Sequence, residues 1–283
     1  MQTLLARPDA PSEDHAALNA ATSADVGLCT IVGIDGSFSR RLGAQLAVLP
    51  DGSTIGSLAD GCLEAQLATD MYGLERPSVI RYGRGSETID FRLPCGSGID
   101  ILLDPQPDPL ACRRAAQLLA NRQPARMALP PVSPIGHRRY LPALTIAAFG
   151  EGPELEAFAS LAAALGIAVQ SYDKIDLSLG QRASDCRLDP WTAALLLFHD
   201  HEWELPLLEQ ALESEAFYVG AQGGENARVS RGLSLAARGV PEEQIARIRS
   251  PIGLIPSCKT PATLALSAIA EIVAQYERLL DAA

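Results

Sequence analysis

The sequence has no uninterrupted apolar run near the ~20 residues that a membrane-spanning helix requires. Its first twenty residues lack an apolar core and carry Asp9, Glu13 and Asp14, so they do not read as a secretory leader. Those two absences predict a cytoplasmic protein with no membrane span. Long basic clusters are missing as well. The longest are Arg40-Arg41, Arg113-Arg114 and His137-Arg138-Arg139, in a chain of formal net charge −11. Such a surface repels nucleic-acid phosphates and anionic lipid, which excludes both as expected partners. No Cys-x-x-Cys pair occurs. The six cysteines (Cys29, Cys62, Cys95, Cys112, Cys186 and Cys258) are scattered. In a reducing compartment they read as thiols rather than a disulfide framework, most of them small buried hydrophobes.

What is present suits two ordinary cores: 283 residues, 47% apolar and 20% charged. A short helix is expected over His15–Ala21. Short β-type segments follow at 27–32, 45–49, 54–57, 79–82 and 99–103, with the turn Pro50-Asp51-Gly52-Ser53 between two of them. One helix, near Leu63–Tyr72, interrupts them. The first domain, 1–105, is therefore read as small and α+β. Residues 106–142 are rich in Pro and Arg and read as a linker with one short helix, Leu110–Ala120.

From Leu144 the pattern becomes strands alternating with helices. Leu144–Phe149 is a continuous apolar run, as expected of a strand buried on both faces. Pro153 suits the first turn of the next helix and Gly166 its end. Further strands are expected at 167–172, 194–198 and 217–220, with a helix near Leu205–Ser214. A last amphipathic helix has Thr260 as its cap and Leu266, Ile269, Val273, Tyr276 and Leu280 on one face. Repeated β-α units imply a parallel sheet, so the fold class is α/β, with a Rossmann-like domain over 143–283.

Four features could carry chemistry. Gly150-Glu151-Gly152 lies between a strand and its helix, where glycines let a pyrophosphate approach helix N–H groups. Asp173 ends the next strand, where an acid takes a ribose hydroxyl. This supports an NAD(P) site, although Leu155 stands where a third small residue belongs and Glu151 and Glu154 bring negative charge. Cys62, in Gly61-Cys62-Leu63-Glu64, stands at a helix start, where the dipole favours thiolate. Cys95 lies in the turn Pro94-Cys95-Gly96-Ser97-Gly98. Either cysteine taken alone is a packing residue; a polar, glycine-bearing turn makes each a candidate. The loop from Asp35 to Ala44, with Ser37, Arg40, Arg41 and Gly43, is an anion cradle or a solvated hairpin. His199-Asp200-His201-Glu202 follows a strand at the ligand-binding edge, as metal ligands or as a polar loop with a capping Asp200.

In their order along the chain these segments resemble the xanthine dehydrogenase accessory protein family, XdhC/CoxI. The resemblance rests on Gly36-Ser37 through Arg40 to Gly43-Ala44, Gly52 through Gly56-Ser57, Gly61-Cys62-Leu63-Glu64 and Cys95-Gly96. In the second half it rests on Gly150-x-Gly152, His199 to Glu202, Tyr218-Val219-Gly220-Ala221, Gly239, Pro251-Ile252-Gly253-Leu254, Thr260-Pro261 and Ser267 to Glu271. The chain departs from the family pattern at Asp60, over Gln222–Asn226 and at Ser257-Cys258-Lys259, with less positive charge.

The resemblance implies a homodimeric chaperone that binds the molybdenum cofactor (molybdopterin). It would aid cofactor sulfuration with a cysteine desulfurase and deliver the product to the apoenzyme of a xanthine dehydrogenase-type molybdenum hydroxylase. It also implies Cys62 and Cys95 as contacts to molybdenum or its sulfur. The candidate cofactor-binding residues are thus Ser37, Arg40, Gly43, Gly61, Cys62, Glu64, Cys95 and Gly96, with Gly150, Gly152, Asp173 and His199 in the second domain. A maturation factor without catalytic residues is favoured over an enzyme. The alternatives are an NAD(P)-dependent oxidoreductase, or a non-catalytic adaptor whose nucleotide fold is vestigial.

Overall fold

The structure is a computed structural model that describes residues 13–59, 61–86 and 96–281. The chain divides into two compact units at Pro142/Ala143.

The first unit contains α1 (Glu13–Ala20), β1 (Gly27–Asp35), β2 (Gln45–Val48), β3 (Thr54–Ile55), α2 (Cys62–Met71), β4 (Ser78–Gly83), β5 (Gly98–Asp104), α3 (Pro109–Ala120), β6 (Ala125–Ala128) and β7 (His137–Tyr140). Five strands form an antiparallel sheet in the order β3-β2-β1-β5-β4. Alternation along β1 decides which side each residue serves. Cys29 and Ile31 face α2, where Leu63, Leu67 and Met71 cover Leu46, Ile99 and Ile101. Leu28 faces the other way, with Ala47, against α1, α3 and the β6–β7 hairpin.

Residues 106–142 therefore differ from the expected linker. The helix is there, and after it Ala125, Met127 and Tyr140 join Cys112, Ala115 and Leu119 in a buried cluster. β6 alternates buried and exposed, so its polar half and the prolines of the hairpin loop dominate the composition while the apolar half closes a core.

The second unit contains β8 (Thr145–Gly150), α4 (Gly152–Ala164), β9 (Ala168–Tyr172), β10 (Thr192–Leu197), α5 (His201–Glu213), β11 (Tyr218–Ala221), α6 (Glu225–Ala237), α7 (Glu242–Ile245), β12 (Ile248–Arg249) and α8 (Pro261–Asp281). All five strands are parallel, in the order β9-β8-β10-β11-β12. This is the expected Rossmann-like sheet. α4 and α8 cover one face, with Phe158, Ala162, Ile269 and Ile272 on Ile146, Ala148 and Leu195. α5 and α6 cover the other, with Leu207, Leu208, Ala211 and Leu235 on Ala147, Phe149 and Leu196. β8 and β10 are buried on both sides, which is why their sequence runs apolar without alternation.

Thr260 Oγ1 accepts from Thr263 N–H at 3.2 Å, as a cap should. Leu266 departs from expectation and is 53% exposed; the face of α8 that is buried runs through Ala265, Ala268, Ile269 and Ile272. α6 and α7 have no counterpart in the expected elements.

Candidate functional site

Topology gathers the first unit's candidate residues at one end of its sheet. β1 finishes at Asp35 opposite Gly98, the first residue of β5. β2 starts at Gln45 and β4 stops at Gly83 at that same end, and β3 runs back toward it. The connections 36–44, 56–61 and 84–97 all leave from there. They carry Ser37, Arg40 and Gly43, then Gly61 at the start of α2, then Gly96. Cys95 lies outside the described residues, as does Asp60.

Glu64 organises the middle connection. Its Oε1 accepts from Leu58 N–H at 2.8 Å and Ala59 N–H at 2.7 Å, and its Oε2 from Gly61 N–H at 2.8 Å. It is only 7% exposed. Burial opposes its charge, but the backbone donors of Ala59, Glu64, Leu58 and Gly61 together hold its carboxyl below the ordinary value. Gly61 caps the helix at φ 95°, a left-handed conformation that favours glycine. Cys62 follows as the first helical residue and is exposed.

Arg40 then ties the first connection to the second. It donates from Nε to Ser57 O at 3.1 Å and from Nη2 to Ser57 Oγ at 3.2 Å, and Ser57 Oγ reaches Glu64 Oε1 at 3.5 Å. Ser37, three residues earlier on the same connection, is exposed. Gly43 is buried; its N–H donates to Ile31 O at 2.7 Å, and a Cβ there would lie 2.8 Å from Arg138 Cδ. Gly43 thus closes the hairpin under Arg138, a packing role.

The third connection is rooted by charges that sequence reasoning missed. Arg81 binds Asp100 at 2.9 Å and Asp35 at 3.0 Å, and Arg84 binds Asp35 at 2.5 Å. Arg84 N–H also donates to Ser97 O at 3.0 Å. Arg81 and Asp100 are register partners across β4 and β5, so pairing those two strands in this register would have found the bridge. Gly96 is exposed next to buried Ser97.

In the second unit, β8 and β10 flank the point where connections leave in opposite directions, the usual ligand crevice of such sheets. Gly150, Gly152 and His199 lie at its mouth and Asp173 at the end of β9. The contacts there do not fit a pyrophosphate. A Cβ on Gly150 would come within 2.8 Å of Leu197 Cβ, so that glycine is demanded by strand packing. Leu155, in place of the third glycine, is 8% exposed within the core. Glu151 and Glu154 stand at the start of α4; Glu151 binds Lys174 at 2.6 Å and Glu154 lies 3.8 Å from His199 Nε2. Asp173 Oδ1 already accepts from Ile175 and Asp176 N–H groups at 2.7 and 3.3 Å. Asp200 caps α5 through Glu202 N–H at 3.0 Å. Among the described residues no group of three or more His, Cys, Asp or Glu is placed to hold a metal ion.

Sequence reasoning also missed a buried ion pair in this unit. Arg231 of α6 and Glu204 of α5 are 2% and 1% exposed at their side chains. Arg231 reaches both oxygens of Glu204 at 3.0 and 3.2 Å, Gln222 O at 2.7 Å and Ser250 Oγ at 3.1 Å. It fastens α5, α6 and the ends of β11 and β12 together. No spacing rule links residues so far apart in sequence.

Comparison with known proteins follows the same division. Residues 20–83 match the family described as XdhC and CoxI, and residues 146–272 match the one described as the XdhC Rossmann domain. The chain is 34% identical over 264 residues to the molybdenum cofactor insertion chaperone PaoD of Escherichia coli (strain K12), covering 87% of this chain and 81% of that protein. It is similar in fold to the crystal structure of a xanthine dehydrogenase from Bacillus halodurans, with TM-score 0.70, 18% identity and coverage of 95% and 96% of the two chains. Among the described residues no helix is long and apolar enough to cross a membrane.

Proposed function

We propose, from the premise that this chain belongs to the XdhC and CoxI family, that it is a chaperone for the molybdenum cofactor. It holds the cofactor while a cysteine desulfurase sulfurates it and then passes it to a cytoplasmic apo-hydroxylase of the xanthine dehydrogenase type. The working form is a homodimer. The observation that carries this reading is the exposed thiol of Cys62 at the first turn of α2, set on a loop that Glu64 clamps and Arg40 ties to the Ser37 connection. Sequence similarity to a relative that is itself a cofactor insertion chaperone supports it.

Each residue then has a task. Cys62, joined by Cys95, offers sulfur to a soft metal centre, for which thiolate is the matching ligand type. Ser37 and the guanidinium of Arg40 meet the anionic end of the pterin, because charge-assisted donors on a fixed loop suit a phosphate. Glu64 keeps the Leu58, Ala59 and Gly61 N–H groups occupied, so the loop holds its shape before cargo arrives. Gly61 sets the turn that leads into Cys62, and Gly96 follows Cys95 in the sequence.

Transfer tests the reading. The chain is produced in a molybdenum-replete host, assayed for molybdenum and for pterin, then mixed with cofactor-free hydroxylase. The expected result is co-purifying cofactor and restored turnover. A chain that carries neither molybdenum nor pterin and does not speed loading of the hydroxylase refutes the chaperone reading.

A further inference from the structure

The charge network at the root of the first unit's connections contains two arginines, and only one of them is used up by the fold. Arg81, on β4, commits all three nitrogens of its guanidinium. Nε donates to Arg84 O at 3.0 Å, Nη1 to Asp100 at 2.9 Å and Nη2 to Asp35 at 3.0 Å. Two strand glycines make room for these side chains. A Cβ on Gly33 would come within 2.5 Å of Asp100 Oδ2, and one on Gly98 within 2.5 Å of Arg81 Nη2. The backbone of β1 and β5 is thus cleared where the network lies across it.

Arg84 is the member with donors to spare. Its backbone is fixed at the root, N–H to Ser97 O at 3.0 Å and carbonyl to Arg81, so the side chain starts from a settled place. Nη2 bonds Asp35 Oδ1 at 2.5 Å, while Nε and Nη1 make no hydrogen bond among the described residues. The side chain is 60% exposed. An exposed ion pair contributes little, so Asp35 yields this guanidinium readily and still keeps Arg81.

Its surroundings indicate what it would bind instead. A Cβ on Gly36 would lie 3.9 Å from Arg84 Nη2, and the next residue is the exposed Ser37. The spare donors are therefore at the start of the connection proposed above to meet the anionic end of the pterin. Arg40, on that same connection, already has its Nε and Nη2 on Ser57. A planar fork with unspent N–H groups is the donor set that suits a phosphate. We infer that Arg84 is a phosphate ligand for the carried cofactor. In the free chain it rests on Asp35; on loading it turns its guanidinium to the phosphate and leaves Asp35 to Arg81. This rests on the chaperone reading and deepens it by naming a cation at the cargo's anionic end.

The test is affinity for molybdopterin and for the same pterin after its phosphate has been removed, measured with the parent, Arg84→Met and Arg84→Lys. Amide hydrogen exchange at Arg84 N–H checks that the bond to Ser97, and so the root, is intact in each variant. The parent should prefer the phosphorylated form. Arg84→Met should lose about tenfold or more toward that form and nothing toward the dephosphorylated one, with Arg84→Lys between the two. An equal loss toward both forms makes Arg84 a structural residue and overturns the inference. So does an Arg84→Met variant that binds both forms as the parent does, or a parent indifferent to the phosphate. In these three cases the parent still binds the pterin and the chaperone reading stands. A parent that binds neither form overturns both.

Discussion

Replacing Glu64 with Ala probes the clamp on which the Cys62 turn depends. The carboxylate accepts three backbone N–H groups, from Leu58, Ala59 and Gly61, at 2.7 to 2.8 Å. Leu58 is fully buried, so water does not easily replace the lost acceptor. A hydrogen bond to a charged group contributes about 1.5 to 3 kcal/mol, and a buried donor left unpaired costs about 1 to 3 kcal/mol. Ala59 and Gly61 recover some solvation, which places the whole loss at roughly 2 to 4 kcal/mol, allowing for non-additivity. Amide hydrogen exchange reads it directly. Protection at Leu58, Ala59 and Gly61 should fall by roughly 30- to 900-fold at 1.36 kcal/mol per decade, while β10 in the other unit is unaffected. Glu64→Gln keeps one acceptor oxygen and should fall between Ala and the parent. Exchange at these amides that is unchanged in Glu64→Ala would refute the clamp.

Three further outcomes follow from the same structure. Because Glu64 sits below its ordinary pKa, it stabilises the fold above the unfolded value of about 4.3, and that contribution is lost as pH falls through the folded value. Urea midpoints of the first unit should therefore drop below about pH 4.3, and less so in Glu64→Gln; equal acid sensitivity in the two would count against it. Burial pushes Cys112 and Cys186 up to about 11, which leaves roughly a hundredfold less thiolate than at the ordinary thiol value of 9.0. Iodoacetamide at mildly alkaline pH should modify exposed Cys62 first and leave Cys29 and Cys112 until the chain unfolds, as peptide mapping will show; early labelling of Cys112 would contradict the packing of α3. Arg231→Met strands the Glu204 carboxylate without its guanidinium and should cost about 3 to 5 kcal/mol of the second unit's stability. The pair Arg231→Met with Glu204→Leu should recover most of that in chemical denaturation, and no recovery would mean the pair is not the cause.

The second unit was the more legible half because its strands announce themselves. Ile146–Phe149 and Ala193–Phe198 are apolar without a break, as a strand covered on both faces should be. The first unit yielded its strands but not its full extent. Met127 and Tyr140 sit among arginines and prolines, and composition averaged over them hides an alternating inner face. α6 stayed hidden because the residues it turns inward are Arg231 and Leu235, so its core face carries a charged side chain where the pattern asks for an apolar one.

The candidate site was legible as positions more than as roles. Gly61-Cys62-Leu63-Glu64 reads as a helix start with an acid at its third position, which anticipates the Gly61 bond. That the same carboxylate also takes Leu58 and Ala59 depends on how residues 57–61 fold back. Gly150 shows the limit of motif reading. Its place in the turn fits a phosphate site, and its lack of a side chain is explained by Leu197 on a strand 47 residues later. Arg40 reads as a phosphate ligand in isolation, whereas the bonds it makes in the fold are to Ser57.

The most direct measurement is molybdopterin affinity for the parent chain beside Cys62→Ser and Cys258→Ser, two identical chemical changes at different places. Loss of a soft sulfur ligand should weaken Cys62→Ser by about tenfold or more, some 1.4 kcal/mol, with Cys258→Ser indistinguishable from the parent. Equal affinity in all three would mean that the turn at the start of α2 does not hold the cofactor.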